Sequence, residues 1–235
     1  PSLLETVKGL LGHAQADAPS SVMTVTLSTG ERIECDLVIV SAGVRPNIGF
    51  LDGSGIAVGL GVLTDRHMQS SVADVYAAGD VAEAPDLFSG TPMVSAIQPN
   101  AADQARIAAL NMAGKSVPHG GVMAINVLDT LGLISSSFGQ WEGVTGGDGV
   151  EVADPDSHRY ISLQFKDDVL VGATSIGLTQ HVGVLRGLIQ SQVSLGDWKQ
   201  ALMHDPLRAM DAYLASVQKP GVLHDQTHGR AQAVC

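Results

Sequence analysis

Two short apolar runs in this chain each stop at a glycine, and in the second a carboxylate follows at once. Leu37-Val38-Ile39-Val40 leads through Ser41-Ala42 to Gly43, and Val75-Tyr76-Ala77-Ala78 runs straight into Gly79-Asp80. An unbroken apolar run of strand length suits a strand covered on both faces, the condition inside a parallel sheet. The carboxyl ends of such strands are where open α/β sheets contact ligands. An acid there is either a turn former or a hydrogen-bond acceptor for something polar. Gly43 and Pro46 end the first run and force an extended exit.

The flanking sequence fills in the rest. Val22 to Leu27 alternates, turns at Ser28 to Glu31 and resumes at Arg32-Ile33, which predicts strands. Residues 48–72 read as short strands and turns. Within them "GSGIAVG" carries Gly53, Gly55 and Gly59 and comes close to a dinucleotide fingerprint. That motif needs a helix after it, and Ile56 to Val62 reads as more strand and turn. "SAIQPNAADQARIAALNMAGK", with Ala101, Ala105, Ile107, Ala108 and Leu110, predicts a helix that stops near Gly114 and tolerates Pro99 in its first turn. From about residue 118 the character changes. "YISLQFKDDVLVGATSIG" predicts a hairpin turning at Lys166-Asp167-Asp168. Val182, Leu185, Leu188 and Ile189 fall at helical spacing, and Trp198 to His204 and Pro206 to Val217 read as shorter helices. Strands followed by helices point to a separate α+β domain.

Composition narrows the function. With 45% hydrophobic and 16% charged residues, the 235-residue chain has the makings of a core and is not disordered. A net charge of -11 argues against nucleic acid or an anionic membrane as partner. No apolar run approaches the roughly 20 residues of a membrane-spanning helix, and no signal-peptide pattern opens the chain. Cys35 and Cys235, the two cysteines, show no CxxC spacing. A cytoplasmic, reducing location is the expectation.

The segments "CDLVIVSAGVRPN" (35–47) and "LTDRHMQSSVADVYAAGD" (63–80), in this order and followed by an Ala-rich helix, resemble the pyridine nucleotide-disulfide oxidoreductase superfamily. Within it they are similar to the second FAD-domain segment of the NADH oxidase, nitrite reductase and rubredoxin or ferredoxin reductase branch. The resemblance covers roughly residues 20–217. It implies an α/β with α+β architecture, the returning segment of a Rossmann-like FAD domain followed by a C-terminal α+β interface domain. Residues 1–42 would end an NAD(P)H-binding domain and 43–117 would form the FAD segment. Residues 118–217 would form the interface domain, and 218–235 a tail. The implied enzyme is a flavoprotein that passes hydride from NAD(P)H to FAD and electrons onward to an acceptor the sequence does not name.

The same resemblance implies roles for matching positions. Asp80 would accept a hydrogen bond from a ribityl hydroxyl of FAD, with Gly79 letting the backbone come close. Gly43 would sit at the turn beside the dinucleotide. The helix beginning near Ile97 and Gln98 would aim its amino end at the flavin pyrimidine ring, where free N–H groups favour negative charge. The family often has Ala in place of Gln98. No GxGxxG follows a first strand here, so neither the FAD nor the NAD(P)H pyrophosphate loop is seen. Two nucleotide domains and a third domain would need more than about 300 residues. The chain therefore reads as the C-terminal part of such an enzyme, with catalytic residues unassigned. Its expected partner is a second copy, through the C-terminal domain, or a chain carrying the missing loops. Val182, Leu185 and Leu188 would then pack on the FAD segment or on the second copy. The competing reading is a non-catalytic assembly or dimerisation module.

Other constellations are weaker. His224 and His228 are four apart without a third ligand, so no metal is expected. No GxSxG elbow is present. Cys35 reads as structural, and Trp141 and Trp198 as packing for the C-terminal core.

Overall fold

The structure is a computed structural model that describes residues 22–180 and 182–217. The chain divides into two compact units, Pro1–Arg45 and Pro46–Cys235. In the first, β1 (Met23–Thr26) pairs antiparallel with β2 (Arg32–Cys35), Met23 opposite Cys35 and Thr26 opposite Arg32. Gly30 makes the turn possible with a φ of 88°, a conformation side chains resist. Cys35, half-buried, lies with its Sγ 3.7 Å from the Met23 carbonyl.

Beyond Cys35 the expectation of a covered strand fails. Leu37–Val40 adopts no strand, and Leu37 and Ile39 are 70% and 81% exposed. Apolar composition expresses a need for burial, but a strand also needs neighbours for its N–H and C=O groups. Among the described residues none pairs with this run.

The second unit opens with a small sheet of β3 (Val62–Leu63), β4 (Ala82–Pro85) and β5 (Pro92–Val94), with β3 parallel to β4 and β5 antiparallel to it. The expected strand Val75–Ala78 is again not a strand. Tyr76 makes one isolated bridge to Gln69, and the surrounding chain spends its polar groups locally. The Val75 carbonyl takes the Ser70 N–H, Val75 N–H goes to Val72, and Ala77 N–H goes to Met68. Asp65 fixes this loop by accepting from the His67 and Gln69 amides. The strand that forms, β4, comes after the acid rather than before it. "GSGIAVG" is turn and bridge with no helix behind it, as the sequence indicates.

α1 (Gln98–Met112) is the predicted helix, with Pro99 in its first turn. It buries Asn100, Gln104, Ile107 and Ala108, the last two in one cluster with Met68, Ala82, Ala84 and Val122. Asn111 ties its far end down, donating to the His67 and Val117 carbonyls and accepting the Val117 N–H.

The C-terminal part is a five-stranded antiparallel sheet, ordered β6-β7-β10-β9-β8, with three helices. The strands are β6 (Ile125–Thr130), β7 (Leu133–Gly139), β8 (Asp148–Asp154), β9 (Arg159–Lys166) and β10 (Val169–Ile176). The β9–β10 hairpin is the predicted one, turning at Asp167, whose φ of 51° an aspartate tolerates. Asp168 then accepts from the Ser194 hydroxyl and the Gly196 N–H, which hold its carboxyl below the ordinary value. β6, β7 and β8 were not anticipated.

The helices are α2 (Val182–Ser191), α3 (Asp197–His204) and α4 (Ala209–Val217). Leu185, Leu188 and Ile189 of α2 are fully buried against Phe138, Leu163, Phe165 and Leu170 of the sheet. At about 1.5–3 kcal/mol per buried large side chain, this face secures the layer. Leu185 and Leu188 thus fill the core of their own layer, with Val182 packed against it, and present no surface to a second copy. Trp198 packs on the same cluster with the Arg208 guanidinium 5.0 Å above its ring, whereas Trp141 is half-buried outside it. No described helix is long and apolar enough to cross a membrane. His224, His228 and Cys235 lie outside the described residues.

Candidate functional site

Gly79 and Asp80 form the first two residues of a 3-10 turn, Gly79–Val81, that feeds β4. Gly79 has a φ of 79°, where an L side chain is strained. A Cβ built there would lie 3.5 Å from the Ala101 Cβ of α1, so the turn sits directly on the first part of that helix. The Gly79 N–H donates to Gln104 Oε1 at 2.7 Å, a second tie between turn and helix. Asp80 itself is exposed.

Ile97, extended at φ -144°, ψ 136°, precedes α1, and its carbonyl accepts the Ala101 N–H. Gln98 is the first helical residue and is exposed. No side chain caps this helix start, so its first N–H groups and the positive end of its dipole stay available. Two residues on, Asn100 is 2% exposed and donates to Ser95 Oγ at 2.7 Å and to the Met123 carbonyl at 2.8 Å, which locks the approach to the helix.

Gly79, Asp80, Ile97 and Gln98 therefore share one turn-and-helix junction. Gly43, with a φ of 93° and nothing within 4 Å of an added Cβ, belongs to the other unit. Gln104 and Asn100 were missed by the sequence reading, which took Ala101 only as a helix former. The signal for Gln104 was present, since it lies three residues after Ala101 and four before Ala108 on what should be an apolar stripe. A cleft of about 230 Å³ under the C-terminal sheet, beside Ile161, Leu178, Leu185 and Pro206, contains none of these residues. Among the described residues no three His, Cys, Asp or Glu side chains gather in a metal-binding group.

Comparison with known proteins bears on this junction. The family described as pyridine nucleotide-disulphide oxidoreductase matches residues 3–109, a span that includes both the turn and most of α1. The epsilon subunit of NADH-dependent phenylglyoxylate dehydrogenase from Aromatoleum evansii is 32% identical over 186 residues, 78% of this chain and 44% of that one. Residues 3–109 belong to the pyridine nucleotide-disulfide oxidoreductase superfamily. Another family member, rubredoxin-NAD(+) reductase of Pseudomonas putida, is 36% identical over 115 residues, 49% of this chain and 28% of that one. The crystal structure of a ferredoxin reductase from Rhodopseudomonas palustris superimposes with a TM-score of 0.61 at 25% identity, covering 80% of this chain and 48% of that one. The chain thus spans less than half the length of these relatives, and its mixed helix and strand architecture is of their kind.

The residues present fit the flavin dinucleotide that the family uses. The hydroxyls of a polyol donate to accessible acceptors, and Asp80 offers a carboxylate at the surface. Gly79 presents backbone with no side chain in the way. A buried amide nitrogen beside the same turn, on Gln104, has no partner among the described residues.

Proposed function

We propose that this chain is the C-terminal part of an FAD-dependent NAD(P)H oxidoreductase whose electrons pass to a further acceptor. The observation that carries the reading is the Gly79–Asp80 turn held on the first half of α1, a helix whose start no side chain caps. FAD, when bound, supplies the ability to take hydride from NAD(P)H and release electrons onward. The protein's part is binding and tuning. Asp80 accepts a hydrogen bond from a ribityl hydroxyl, and Gly79 admits the backbone to close range. The start of α1, at Ile97 and Gln98, puts its positive end toward the flavin pyrimidine ring, where it favours negative charge. For Gly43, in the other unit, the resemblance implies a turn beside the dinucleotide; its backbone is left-handed, and no strand leads directly into it. The two pyrophosphate loops would come from a further segment or a partner chain.

The test is Asp80→Ala in the FAD-loaded enzyme. Losing a hydrogen bond to a charged acceptor is worth about 1.5–3 kcal/mol, so FAD affinity should fall by one to two decades with folding unchanged. Unaltered FAD retention with normal turnover would refute the assignment.

A second reading keeps the fold and removes the catalysis, making the C-terminal layer an assembly module. One observation favours an assembly role alongside the first reading. The β6 edge carries Val127 and Leu128 at 53% and 54% exposure, and Leu131 at its tip is fully exposed. Apolar side chains on an open sheet edge invite pairing with a second copy.

A further inference from the structure

Gln104 is 0% exposed, on a helix face that also buries Asn100, Ile107 and Ala108. Burying an amide costs about 1–3 kcal/mol for each polar group left unpaired. Only one of its two ends is paired. Oε1 accepts the Gly79 N–H at 2.7 Å. A backbone N–H can only donate, so the oxygen must be the atom facing Gly79, and the orientation of the amide is fixed. Nε2 is thereby left buried beside the turn with no acceptor among the described residues.

The glycine that Gln104 grips directly precedes Asp80 and already sits in strained backbone at φ 79°. A strained turn stays put only when its surroundings overdetermine it. Ala101 supplies contact, and the Gln104 amide supplies direction. We propose that Gln104 is a positioning residue for Asp80. Its oxygen clamps the Gly79 amide so that the following carboxylate is presented in one orientation. This rests on the flavin reading given above. It explains why a polar side chain occupies a core position where a leucine would be more stable.

The experiment is a double-mutant cycle on FAD affinity in the complete enzyme, read by flavin fluorescence titration. Gln104→Met, similar in volume and unable to pair, should weaken FAD about tenfold, and Asp80→Asn should weaken it at least as much. The double variant should be within about twofold of Asp80→Asn alone, because a positioning residue has nothing left to position. Gln104→Glu, which keeps an acceptor for Gly79 and in this buried site holds a proton to donate, should recover most of the affinity. Multiplying losses in the double variant, or a Glu variant as weak as Met, would overturn the proposal and leave Asp80's own role intact. Asp80→Asn without effect would overturn the flavin reading and this proposal with it. Hydrogen exchange of the Gly79 amide in the 235-residue chain gives a readout free of cofactor. It should accelerate at least tenfold in Gln104→Met, and an unchanged rate would show that no clamp exists.

Discussion

Gly79→Ala separates backbone strain from steric clash at the centre of the site. The new Cβ would lie 3.5 Å from the Ala101 Cβ, ordinary van der Waals contact, so nothing has to move aside. What remains is the cost of holding an L residue at φ 79°, about 1–2 kcal/mol. Against it stands the reduced freedom of the unfolded chain, which returns about 0.4–1 kcal/mol. The net loss is about 1 kcal/mol. Gly121→Ala is the matched control. Gly121 is also left-handed, at φ 129°, but its added Cβ would collide with the Leu87 backbone, 2.8 Å from the nitrogen and closer still to Cα. Backbone cannot rotate away as a side chain can, so that variant should lose more than about 3 kcal/mol. Urea unfolding followed by circular dichroism would report both, with stability read from the midpoint at constant slope. Equal losses in the two variants, or a Gly79→Ala loss above about 3 kcal/mol, would refute the reasoning.

His119 is buried, its Nδ1 accepts the Gly121 N–H, and burial, with Arg66 and Arg106 adding to it against Asp103, pushes its pKa below the ordinary 6.5. The folded state therefore binds fewer protons than the unfolded one, so stability should be flat above about pH 7 and fall as pH drops through 6.5; His119→Gln should remove that part of the slope in urea midpoints, and an unchanged slope would count against it. If the β6 edge pairs with a second copy, light scattering at high micromolar protein should give a dimer mass that Val127→Lys reduces to a monomer; a monomer at every concentration refutes the pairing. The isolated 235-residue chain should show no NAD(P)H oxidation even with FAD added, and steady turnover would mean that the two pyrophosphate loops are not essential.

The parts of the fold that were legible are those whose pattern is decided locally. α1 announces itself through alanines and a stop at Gly114, and α2 through Leu185, Leu188 and Ile189 on one face. The β9–β10 hairpin does so through alternation about Asp167. β7 was hidden because Ser135-Ser136-Ser137 looks like a linker. Its pairing supplies what composition lacks, with Ser136 buried and the Ser137 hydroxyl against Thr174 Oγ1 at 3.2 Å. Leu37–Val40 and Val75–Ala78 show the opposite error. Both have strand composition, yet a strand exists only where another backbone lies alongside. Residues 65–77 instead close a loop on themselves through Asp65 and Ser70. Propensity is read from one segment, whereas pairing is a property of two.

The site was legible in the same uneven way. Gly79 and Asp80 stand out because an acid follows a glycine directly at the end of a short apolar run. Their placement after a parallel strand was an inference about partners, and the structure puts them before β4 instead. That shift leaves the chemistry of the turn intact but changes what holds it. A strand end would be fixed by its sheet, whereas this turn is fixed by α1, through Ala101 and Gln104. α1 carries Asp103, paired with Arg186 of α2 at 3.0 Å, and Asn100, bonded to Met123 at the edge of the C-terminal layer. The C-terminal layer is thus linked by two polar contacts to the helix on which the Gly79–Asp80 turn rests.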